Sequence, residues 1–191
     1  MAHLRPRLLS IALPLVLSLT AVSCAETLTP APDPGSVLFE VEYVNFAWGR
    51  SWNGFVLDAE GRVYAYDLGD TNLWPAEGDV FAAGELEAKY AHQRRLVTTV
   101  AATEAASRYA RVADALSGTL TPPKGVCADA GTVRYSALLF DASAGTYRRL
   151  LLHQRGDVAQ ANTSPAAREL YRWLEQVTST HVGAEFCNPF G

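Results

Sequence analysis

Three histidines outside the N-terminal segment, His92, His153 and His181, are the side chains best suited to move a proton near neutral pH or to bind a metal. Neither job is done alone. No HExxH or H-x-H pair brings two of them together, and no G-x-S-x-G or S-x-x-K motif supplies an activated serine. Each histidine therefore reads first as an ordinary surface or core residue. His153, at the end of the apolar run Leu150–Leu152, is expected to be half-buried. A hydrolase would have to pair His153 or His92 with a carboxylate from the 67–79 loop, an arrangement that only the fold could assemble. The reading is of a chain without catalytic residues, metal or cofactor.

Two other groupings carry some chemistry. Between Val63 and Ala88 stand six acids (Asp67, Asp70, Glu77, Asp79, Glu85, Glu87) and no base. Hard cations favour such oxygen-rich stretches, but the spacing is not that of a calcium loop, and a solvated acidic face accounts for it equally. Trp48, Trp52 and Trp74 cluster around the first hairpin and the long loop, near Tyr64 and Tyr66. Exposed aromatics of this kind stack on sugars or anchor protein interfaces. Trp52, between polar neighbours in a turn, is expected to be the exposed one.

The elements that must position these residues alternate between two periods. Val37–Trp48 carries Val37, Phe39, Val41 and Tyr43 on one face and Glu40 and Glu42 on the other, the period of a strand. A turn at 49–51, a strand at Asn53–Leu57, a hairpin loop at 58–61 and a strand at Arg62–Leu68 complete a three-stranded meander. The loop 69–79 leads to a short helix predicted over Val80–Ala91, with Asp79 as its N-cap. A longer helix is predicted over Arg94–Leu116, with Val97, Ala101, Ala105, Tyr109, Val112 and Leu116 on one stripe and Gly118 and Pro122-Pro123 ending it. Strands follow at Thr132–Asp141 and Thr146–His153, with a short edge strand at Val158–Ala161. Ser164 as N-cap and Pro165 at N1 start the last helix. Strands, helices, strands and helix in that order give an α+β class: antiparallel β-hairpins in a meander, packed on one face by about three helices, in a single domain over 37–191.

The first 23 residues read differently. Arg5 and Arg7 precede Leu8–Val22, which holds no charge and is too short for the roughly 20 residues that span a bilayer. That is the pattern of an export signal. Without it the chain holds 14 basic and 20 acidic residues, a net charge of −6, which argues against nucleic acid as a partner.

Ala21-Val22-Ser23-Cys24 resembles the lipobox of bacterial lipoprotein precursors, with Ala21 where leucine is usual. The resemblance covers the leader alone. It implies that Cys24 becomes the first mature residue and carries diacylglyceryl and N-acyl chains, placing the protein on the cell envelope, on the outer membrane in a diderm. Cleavage by an ordinary signal peptidase would instead release a soluble periplasmic or secreted protein. Residues 24–36, with three prolines, would form a tether of about 35–40 Å. With Cys24 acylated, Cys127 and Cys187 are left to pair as a disulfide in an oxidising compartment. The expected role is a non-catalytic binding module, membrane-attached through its lipid and facing an envelope protein or glycan, with an envelope hydrolase as the alternative.

Overall fold

The computed structural model describes residues 36–73, 78–92 and 94–179. The leader, Cys24, the tether, Trp74, His181 and Cys187 lie outside the described residues. In chain order the elements are β1 (Val37–Asn45), β2 (Ser51–Asp58), β3 (Arg62–Asp67), β4 (Val80–Ala82), α1 (Ala83–Ala91), β5 (Arg95–Thr99), α2 (Ala102–Ala110), α3 (Val112–Ala115), β6 (Lys124–Gly125), β7 (Thr132–Asp141), β8 (Thr146–Gly156), β9 (Val158–Ala161) and α4 (Pro165–Thr178).

Among the described residues nine strands make one antiparallel sheet in the order β5-β3-β2-β1-β7-β8-β9-β6, with β4 pairing beside β8. This is the mixed α+β class, dominated by its sheet. The meander β1-β2-β3 is joined to the β7-β8 hairpin by the long β1–β7 ladder, Phe39 opposite Ala137 through Val44 opposite Thr132. β9 is held on both sides, by β8 and by the two residues of β6, so it is not the bare edge its short apolar run suggests.

Alternation along the strands sorts the side chains onto two covered faces. On the first, Phe39, Val41, Phe55, Leu57, Val63, Val133, Tyr135 and Leu152 pack against Ala105 of α2, Val112 and Ala115 of α3, and Leu170, Trp173 and Leu174 of α4. Phe39 sits edge-on to both Tyr109 and Trp173. On the second, Trp52, Val56, Tyr66, Leu68 and Leu138 are covered by Phe81 of β4 and by Leu86 and Tyr90 of α1. Helices therefore lie on both faces rather than on one.

Two of the helices expected from sequence are reshaped. The segment 80–91 begins as β4, because Val80 and Phe81 add to the β8 edge opposite Arg148 and Tyr147. The Asp79 carbonyl is thereby committed to the Arg149 N–H at 2.6 Å. The helix starts only at Ala83, with Ala82 rather than Asp79 at its N-cap. The segment 94–116 begins as β5, where Val97, Thr98 and Thr99 place β-branched side chains against β3, and turns helical at Ala102. Ser164 and Pro165 start α4 as expected, the Ser164 hydroxyl accepting the Ala166 N–H at 3.2 Å. No described helix is long and apolar enough to cross a membrane.

Candidate functional site

The predicted aromatic cluster divides in two. β1 and β2 end with Asn45 opposite Ser51, leaving residues 46–50 as the tip of the hairpin. At that tip Trp48 is 83% exposed and Phe46 37% exposed, while the other described tryptophans, Trp52 and Trp173, are 3% and 5% exposed. Trp52 is thus buried, contrary to expectation. It faces the second core from inside β2, and its indole N–H donates to Glu42 Oε1 at 2.9 Å. Trp74 lies outside the described residues.

The tip is held firmly. The Asn45 side-chain amide donates to the Asp129 carbonyl at 3.0 Å, and its oxygen accepts the Ala47 N–H at 2.9 Å. Gly49 turns the chain at φ +133°, a backbone conformation that side chains other than glycine disfavour. The Arg50 guanidinium lies over the Phe46 ring, 5.2 Å from its centroid. Alongside runs the segment after β3, tied in by the Leu68 N–H to the Trp52 carbonyl at 2.7 Å, and it presents Leu73, 40% exposed. Phe46 and Trp48 are the exposed aromatics of this braced turn.

Beneath α1 the second face holds a group that the sequence did not single out. Glu40 and Glu42 of β1 are 1% and 2% exposed. Lys89 of α1 reaches both, its Nζ 2.5 Å from Glu40 Oε1 and 2.6 Å from Glu42 Oε1. Arg149 of β8 lies 3.0 Å from Glu40 Oε2 and 3.6 Å from Glu42 Oε2, and Arg134 reaches Glu42 at 3.5 Å. The Tyr66 hydroxyl donates to Glu40 Oε1 at 2.8 Å. Burial alone would raise the Glu42 carboxyl, but the charges of Lys89 and Arg149 and its hydrogen bonds hold it down at about 2. Burial and the adjacent carboxylates push the Tyr66 and Tyr90 hydroxyls well up, so both stay protonated. The signal for this group was legible in other strands. Phe55-Val56-Leu57 and Leu138-Leu139-Phe140 are unbroken apolar runs, and such runs mark a sheet covered on both faces. The two glutamates therefore could not be facing water.

The histidines are not assembled into a site. His153 is half-buried, stacked on Tyr171 of α4 with ring centroids 4.0 Å apart. Burial, then the nearby Arg155, lower its pKa against the opposing pull of Glu175, so it is neutral. His92 is exposed, and its carbonyl takes the Asp67 N–H at 3.4 Å. Among the described residues neither imidazole is hydrogen-bonded to a carboxylate, and no three His, Cys, Asp or Glu side chains stand where they could hold a metal. The acids of the 63–88 stretch diverge: Asp67 is exposed at the end of β3, Asp70 and Asp79 are exposed in loops, and Glu85 accepts the Ala82 N–H at the start of α1. Cys127 is half-buried in the segment after β6. A hollow between β1–β3 and the end of α4 is lined by Phe39, Phe55, Leu57, Leu174 and Val177, apolar groups without chemistry. Comparisons with protein-family models, with curated proteins and with solved structures found no match to this chain.

Proposed function

We propose that this protein is an exported, lipid-anchored binding module of the bacterial cell envelope, non-catalytic, that engages an envelope protein or glycan through the tip of its β1–β2 hairpin. The observation that carries the reading is Trp48, exposed on a braced turn while the other described tryptophans are buried. A large aromatic left in water on a rigid support is the composition of an interface anchor, which gains by desolvation without having to be ordered first. The leader supports the anchor: acyl chains on Cys24 would hold the chain to the bilayer, and residues 24–36 would carry residues 37–191 as one folded unit. The tether joins β1 at Val37, the end opposite the tip. Nine residues at about 3.3 Å each separate the two ends by about 30 Å, so the tip points away from the point of attachment. Pairing of Cys127 with Cys187 would fasten the C-terminal segment, in keeping with an oxidising compartment.

The anchor is tested by the intact mass of the native protein, reduced and unreduced. A chain starting at Cys24, heavier by its acyl groups and lighter by two hydrogens before reduction, is expected. The binding role is tested by immobilising the mature protein and its Trp48→Ala variant and presenting each with solubilised envelope proteins and, separately, with cell-wall glycan. Retention by the wild type that falls at least about tenfold in the variant is expected, and equal retention by the two would overturn the reading.

A further inference from the structure

Lys89 is an unusual occupant. Its ammonium group lies between two carboxylates, at 2.5 and 2.6 Å, and is ringed by Trp52, Tyr66 and Tyr90, whose centroids are 5.4, 5.4 and 5.5 Å away. Two anionic acceptors inside three aromatic faces is the chemistry by which proteins recognise organic ammonium ions. Most of that chamber does not depend on Lys89. Glu40 is fixed by Tyr66 and Arg149 and Glu42 by Trp52, all on the sheet. α1 contributes the occupant and one wall, Tyr90.

The chamber also holds more polar groups than Lys89 uses. The Ser136 hydroxyl and the Arg149 Nε are buried without a hydrogen-bond partner. Ser136 stands directly opposite Glu40 in the β1–β7 ladder, and the Arg149 guanidinium donates to Glu40 Oε2 at 3.0 Å. Buried polar groups are ordinarily paired, and these surround the same carboxylate. The cover is short. α1 has nine residues and buries three of them (Leu86, Lys89 and Tyr90), its start held by Glu85, which accepts the Ala82 N–H at 2.8 Å. α4 buries six and is capped by Ser164.

We infer that the chamber beneath α1 is a binding site for the primary ammonium group of a small organic amine, and that Lys89 is its built-in occupant, so that α1 acts as a plug that such a ligand displaces. The Arg149 guanidinium already takes the two Oε2 atoms, and the compact charge of an ammonium suits the space between the two Oε1 atoms within one ring of aromatics. With Lys89 gone, Glu40 and Glu42 face each other across a gap that a small organic cation fills.

The test uses the mature protein, its Lys89→Ala variant and the double variant Lys89→Ala/Glu42→Gln, with propylammonium chloride as probe and sodium chloride and propanol as controls. In Lys89→Ala, propylammonium is expected to raise the thermal midpoint saturably, by about 5 °C. Neither control is expected to do so, and the double variant should lose most of the response. If Lys89→Ala does not fold, refolding in propylammonium should recover the native circular dichroism and refolding in sodium chloride should not. In the wild type, saturating propylammonium should speed hydrogen exchange at the α1 amides and leave those of β1 and β7 unchanged. A folded Lys89→Ala with no response beyond that to sodium chloride, a failed rescue, or unaltered α1 exchange in the wild type would overturn the inference.

Discussion

Acid should loosen this protein in a range set by Glu42. In the folded chain burial raises that carboxyl's pKa, but Lys89, Arg149 and the Trp52 indole more than reverse the effect, bringing it from 4.5 to about 2. The unfolded chain has none of these partners. A carboxyl whose pKa is depressed by folding stabilises the native state above its unfolded pKa, and that contribution fades as pH falls toward the folded value. At about 1.4 kcal/mol per pH unit, the difference is worth about 3 kcal/mol, a sizeable part of the 5–15 kcal/mol typical of a domain. The contribution should be complete at pH 7, begin to fall near pH 5 and be largely gone near pH 2. Urea unfolding at pH 7, 6, 5, 4 and 3 measures it, with Glu42→Gln as comparison. The variant should be less stable at pH 7 by about 3 kcal/mol, since Lys89 and Arg149 then share a single buried carboxylate. Its stability should also fall less steeply below pH 5. Curves for the two proteins that run parallel from pH 5 to pH 3 would show that Glu42 does not carry the linkage, and would refute the assignment of Lys89 and Arg149 as the groups that hold it ionised.

Two further outcomes rest on local geometry. Ser164→Ala removes both the cap on the Ala166 N–H and the hydroxyl that donates to the Asp114 carbonyl at 3.1 Å, and should lower stability by about 1–2 kcal/mol in urea unfolding at pH 7. Gly156→Ala should be worse, by about 3 kcal/mol or more, measured the same way. Gly156 adopts φ +115°, and a Cβ there would collide with the Gly131 carbonyl oxygen, which is itself committed to the Asp157 N–H at 2.7 Å.

The parts of the fold that were legible are those where a period or the bounding turns were unambiguous. β1 and β7 alternate over five or more residues, β2, β3 and β8 are short apolar runs bounded by turn residues, and Ser164-Pro165 states where α4 begins. β5 was lost because Leu96, Val97 and Val100 satisfy a helical stripe and a strand equally. The β-branched run at 97–100 decided for the strand once β3 offered an unpaired edge. β4 spans three residues, fewer than one period of any pattern can establish. For Trp52 the error was to read its environment from Ser51 and Asn53. In a strand those neighbours point to the opposite face, so their polarity says nothing about where Trp52 points. The tip itself was legible as a cluster of tryptophans at the first hairpin. Which of them faced water was not, because that depends on α1 covering the second face, and nothing local announces the packing of α1.

The same long-range dependence explains what two buried glutamates do in the middle of a sheet. Replacing a buried ion group with apolar side chains is often neutral or stabilising, so net stability is a weak reason for its presence. Register is a stronger one. Glu40 and Glu42 lie on β1, flanked by β2 and β7, and their cations come from α1, β7 and β8. A slip of one residue in β1 would turn both carboxylates onto the first face, among Phe55, Tyr135 and Trp173, where no cation of this group could follow. It would also turn Phe39 and Val41 into the charged chamber. Apolar runs on both faces, such as Phe55-Val56-Leu57, would tolerate that slip if β1 were apolar throughout. The carboxylates forbid it. They fix β1 against β2, and fixing β1 against β2 is what sets residues 46–50 as the turn and sends Trp48 rather than Trp52 into water.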